Sequence, residues 1–181
     1  MLDISVITKI RKSALDSMKS DSDDQKIASI WKKFVFIAIF YILPICASIL
    51  SWIKCLKLST MEGFVGSGIA IFTGLFFSLL ISIGAKVRSE KENPNKDESN
   101  FQQFKTSMKQ IANIILYVIL LGISIFLLML INSILKSNCY PSIEKSITAI
   151  TLFLLVRFIV SLFFMMQRFY FLVRDEINNI L

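Results

Sequence analysis

Of the 181 residues, 55% are hydrophobic and only 18% charged, against about 45–50% and about 25% in soluble domains. With a mean hydropathy of +0.67 and a net charge of +7 gathered in blocks between long apolar runs, this composition argues for a membrane protein and against a large soluble core. Histidine is absent altogether, which removes the commonest general base, proton shuttle and metal ligand at once.

The chain opens on a basic arm, residues 1–33, expected on the cytoplasmic side. Asp3 is placed to cap a short helix, along which Ile7, Ile10, Ala14 and Met18 recur at helical spacing while Lys9, Lys12 and Lys19 point elsewhere. Such a helix either lies on the inner leaflet or offers a docking surface to another protein. The polar run "SDSDDQK" separates it from the first apolar segment.

Residues 34–166 are expected to form a transmembrane domain with four spans, at about 34–53, 63–85, 111–135 and 147–166. Each has roughly the 20 residues that cross about 30 Å of hydrocarbon at about 1.5 Å per residue. Backbone groups in lipid must be satisfied within the segment, so the spans are helices. Trp31 and Trp52 bracket the first span as interfacial anchors. Pro44 inside it removes one hydrogen bond and predicts a kink.

In the second span Gly66, Ala70, Gly74, Ser78 and Ser82 recur every four residues. Lipid gives no hydrophobic drive for helix association, and small residues on one face permit the close approach that packing requires. The partner is either another helix of the same chain or a second subunit. The loop at 86–110, containing "KVRSEKENPNKDESN", is polar and proline-broken, with a mobile character. Phe101, Phe104, Met108 and Ile111 then recur at steps of three or four, so the third helix is expected to begin before the membrane.

The fourth span carries Arg157 near its middle, where insertion costs about 2.5–3.5 kcal/mol. The spans hold no Asp or Glu to pair with it. The remaining candidates are Asn113, Asn132, hydroxyls, helix carbonyls, lipid phosphate and water, with depth arguing against both asparagines. Ser146, Arg157, Ser161 and Arg168 fall within about 60° on a helical wheel, a polar stripe that should face the bundle interior or a wet cavity. Arg157 is then a hydrogen-bonded packing residue, the lining of an anionic pathway in an oligomer, or a sensor of lipid stress. Residues 167–181 continue as a helical cytoplasmic tail, with Phe169, Leu172, Val173, Ile177 and Ile180 on one face.

Fifteen Lys and Arg residues fall on the side of both termini and four on the other, so both termini are expected in the cytoplasm. The outer loops are short and hold Cys55 and Cys139, which can pair if that side is an oxidising periplasm and their geometry allows. Cys46 lies within the first span. No phosphate-cradling loop, Ser–His–Asp set or metal-ligand spacing is present. The chain reads as no enzyme, with no cofactor and no direct nucleic acid binding. The fold class is all-α, a polytopic membrane protein with four transmembrane helices and amphipathic cytoplasmic helices at both ends. A small ion channel or membrane-permeabilising effector is the alternative to a sensor or scaffold.

This layout, and above all the segment "EGFVGSGIAIFTGLFFSLLIS", resembles the small membrane subunit of Kiwa anti-phage systems, the KwaA family. The resemblance implies a homo-oligomeric, tetrameric inner-membrane protein. It would detect phage infection at the envelope and work with a cytosolic DNA-binding partner of the KwaB kind. It carries over no functional residue position by position.

Overall fold

The computed structural model describes residues 4–19, 35–54, 62–92, 98–135 and 141–180, and every one of these but Glu92 is helical. Five helices follow one another: α1 (Ile4–Lys19), α2 (Val35–Lys54), α3 (Glu62–Lys91), α4 (Glu98–Leu135) and α5 (Pro141–Ile180). Four stretches within α2 to α5 are long and apolar enough to cross a membrane: Val35–Lys54, Gly63–Lys91, Phe104–Ile134 and Ser142–Tyr170. The fold class is thus all-α with four membrane-length helices and a short N-terminal one. The Asp3 cap, "SDSDDQK", Trp31 and residues 55–61 and 136–140 of the outer loops lie outside the described residues. So do the side chains of the tail from 171 onward. The second outer loop is shorter than expected, since residues 141–146 already open α5.

Two helices run well past membrane thickness. At about 1.5 Å per residue, the 38 residues of α4 span about 57 Å and the 40 residues of α5 about 60 Å. The early start of α4 rests on its apolar spacing, since Phe101, Met108 and Ile111 are buried there. The loop at 86–110 is shorter than the sequence predicts. Residues 86–91 finish α3 and 98–110 open α4. Arg88 and Lys91 lie in the last turn of α3, where cations favour the helix dipole.

The chain forms two compact units. One gathers Met1–Ser20, Gly74–Val118 and Leu162–Leu181, the other Asp21–Thr73 and Ile119–Ser161. The core of the first is built from Ala14, Met18, Ile83, Phe101, Met108, Ile114 and Met165; that of the second from Phe36, Phe40, Ile69, Ile125, Met129 and Phe158. The second also buries polar groups, among them Asn132, Thr151, Arg157 and Ser161.

Burial differs sharply among the helices. Half of the most apolar window of Phe104–Ile134 is buried, but only 11% of that of Gly63–Lys91. Phe64, Ile71, Leu75, Phe77 and Ile81 of α3 are all exposed. In water such a surface would drive aggregation; in a bilayer it is the normal lipid-facing side.

Within α2, residues Ala38–Ile42 form a π-helical turn, with the Leu43 N–H donating to the Ala38 carbonyl. The cause is one residue downstream. Pro44 has no N–H to donate to the Phe40 carbonyl, and its ring would crowd that carbonyl in a regular α-helix. A wider turn just before the proline makes room for its ring. The lost hydrogen bond is readable from Pro44 itself; the π turn before it is not.

Candidate functional site: a buried arginine among aromatic rings

Arg157 sits on α5 and is 7% exposed. Its guanidinium carbon lies 4.5 Å from the centroid of the Phe40 ring, 5.5 Å from that of Tyr41 and 5.7 Å from that of Phe153. All three are within the roughly 6 Å at which a cation is attracted to a ring face. Such contacts contribute about 0.5–2 kcal/mol each, the upper end when desolvated. Together they are of the same order as the insertion cost that the sequence assigns to this residue.

The elements around it explain how the rings get there. Phe153 is one turn before Arg157 on the same helix, the spacing at which helical side chains meet. Phe40 and Tyr41 are successive residues of the π turn. In a regular α-helix adjacent side chains diverge by about 100°; the wider turn brings them closer in direction, and both reach the guanidinium. Phe40 has no exposed surface and is itself backed by Phe36, stacked at 5.3 Å with 8° between the ring planes. Tyr41 meets Phe40 edge-on at 5.5 Å.

The hydroxyls of the expected polar stripe serve their own helix. Ser161 Oγ donates to the Arg157 carbonyl at 2.8 Å, and Ser146 Oγ to the Ser142 carbonyl at 3.0 Å. Thr148 and Thr151 do likewise, toward Glu144 and Ile147. Ser48 Oγ of α2 instead reaches across to the Ala149 carbonyl of α5 at 3.0 Å. Arg157 and Ser161 are both buried. Asn132 is buried and Asn113 half-buried.

Arg168, the last member of the stripe, has a different task. Its Nη2 donates to the Ser17 carbonyl at 2.9 Å. Ser17 is in the last turn of α1, where carbonyls have no partner further along the helix and where a cation complements the helix dipole. Arg168 thus caps α1 from a position two residues before the end of the Ser142–Tyr170 stretch.

Among the described residues, nothing packs closely against the glycines of the small-residue stripe on α3. A Cβ added at Gly66 or at Gly74 would meet nothing within 4 Å, and Ala70, Ser78 and Ser82 are exposed. The close approach falls on a residue outside the pattern, Gly122 of α4. A Cβ there would lie 3.2 Å from both Ile69 Cγ2 and Thr73 Oγ1 of α3, and 3.6 Å from Phe158 Cε2 of α5. One glycine therefore serves two neighbouring helices.

Cys46 is an exposed free thiol, while Cys55 and Cys139 lie outside the described residues. Among the described residues no group of His, Cys, Asp and Glu side chains is arranged to hold a metal ion. Compared with protein-family models, with curated proteins and with solved structures, the chain matches none.

Proposed function

We propose that this chain is a non-enzymatic, oligomeric inner-membrane protein that senses phage infection or envelope perturbation and recruits or regulates a cytosolic DNA-binding effector of the KwaB kind. Both termini face the cytoplasm. The protein self-associates, as a tetramer by the resemblance to Kiwa membrane subunits, and does not itself bind nucleic acid. A change in helix packing at the membrane is the signal, and the helices that emerge from it are the output.

The observation that carries this reading is the bond from Arg168 to the Ser17 carbonyl. It ties the short polar helix α1 to the end of a membrane-length stretch, so a shift of α5 has a physical route to α1. The largely uncovered α3, with its small-residue face, supports self-association through close helix contact.

Co-purification from cells challenged with phage tests the proposal. The full chain, solubilised with its native lipid, is expected as an oligomer with a soluble DNA-binding protein attached. Phage plating on cells carrying it should fall when both proteins are present. A clean monomer with no cytosolic protein bound counts against it. The channel reading instead requires ion conductance in planar bilayers that changes with Arg157→Gln; Arg157 packed beneath Phe40 favours the non-conducting role.

A further inference from the structure

We infer that the N-terminal half of α1 is a binding surface for anionic phospholipid headgroups. On a helix of 3.6 residues per turn, Val6, Ile7, Ile10, Ala14, Ser17 and Met18 share an arc of about 120°. Along the helix axis the C-terminal half of that face is covered: Ala14 has no exposed surface and Met18 6%. The N-terminal half is open, with Val6 50% and Ile7 42% exposed. One continuous face is therefore docked at its C-terminal end and uncovered at its N-terminal end.

Two further observations say what covers the open half. The first is position. Arg168 caps α1 at Ser17 from a position two residues beyond the 147–166 span that apolar length assigns to hydrocarbon, which sets the docked end of α1 at headgroup level. The second is charge. Lys9 stands just outside the apolar arc on one side and Arg11 on the other, and both are exposed; Lys12 lies on the opposite side of the helix. From Ser5 to Met18 they are opposed by one acid, Asp16. Basic side chains flanking a narrow apolar face extend their stems along it and hold their charges at phosphate level. Each contributes about 1 kcal/mol at an anionic surface. The inference is independent of any role in defence.

Amide hydrogen exchange of the full chain in nanodiscs tests it. Discs of phosphatidylcholine alone are compared with discs of equal parts phosphatidylcholine and phosphatidylglycerol. Exchange over residues 5–12 should be at least about tenfold slower in the anionic discs. The paired substitution Lys9→Glu and Arg11→Glu should erase the difference while residues 14–18 stay protected. Raising salt to about 1 M, where the screening length falls to about 3 Å, should erase it in the unsubstituted protein, a check that needs no variant. Equal exchange in the two discs overturns the inference. So does a difference that survives both charge reversal and salt, or protection that appears only when cytosolic extract is added, which would assign the face to a protein.

Discussion

The guanidinium of Arg157 lies 4.5 Å above the ring of Phe40, a residue with no exposed surface. The charge that looks most anomalous in the sequence is met by a ring face rather than by an acid. This pairing predicts a measurable coupling. Phe40→Leu removes the ring and keeps an apolar side chain; Arg157→Met removes the charge and keeps length. Each alone should destabilise the fold, Phe40→Leu more, because it leaves a buried cation without that ring. In a double-mutant cycle read by denaturation in mixed micelles, the coupling should be about 1–2 kcal/mol. Strict additivity would show that the two groups are neighbours without interacting.

Helix contact should depend on Gly122 and not on the glycines of the α3 stripe. A methyl group at Gly122 would lie 3.2 Å from Ile69 and Thr73, and overpacking of this kind costs about 1–3 kcal/mol. Gly122→Ala should therefore lower the denaturation midpoint. Gly74→Ala, with open space around it, should leave it unchanged. Gly74→Leu extends the comparison to self-association. It should preserve the helical content of the chain while reducing the oligomer seen by light scattering, and an unaltered oligomer would place the subunit contact on another face.

Pro44 should control the π turn. Pro44→Ala restores an N–H at position 44 and removes the proline ring, so Ala38–Ile42 should relax toward a regular α-helix. Phe40 and Tyr41 would then diverge, and one would swing away from Arg157. The readout is the side-chain N–H resonance of Arg157, which ring currents from Phe40 displace; it should move toward its unstacked position. A resonance that stays in place would mean that packing, rather than the missing donor, sustains the wide turn.

The four membrane-length helices were legible because apolar length is a direct statement about solvent. The α4 extension was legible too, since Phe101, Met108 and Ile111 share one face and are buried together. The surroundings of Arg157 were not. Phe153 stood one turn away, at a readable spacing, but Phe40 and Tyr41 come from a distant helix and depend on a local change of helical register. Gly122 was hidden for a related reason. A close approach needs one small residue where two neighbours converge, whereas a periodic stripe such as Gly66, Ala70 and Gly74 records a face without saying what meets it.

Arg168 should act on α1 and leave the membrane-length helices alone. Its bond to the Ser17 carbonyl at 2.9 Å is charge-assisted, a class that contributes about 1.5–3 kcal/mol when buried, and less here because Arg168 is only partly covered. Arg168→Gln keeps a donor but loses the charge that complements the helix end, and Arg168→Ala loses both. Amide exchange over residues 13–18 should rise modestly in the first and several-fold in the second, with residues 111–132 of α4 unchanged. Arg168→Lys should fall nearest the unsubstituted protein, because the charge near the α1 terminus survives even if the geometry loosens. If all three variants exchange alike, α1 is held by the burial of Ala14 and Met18 alone, and the route from α5 to α1 must run through that packing.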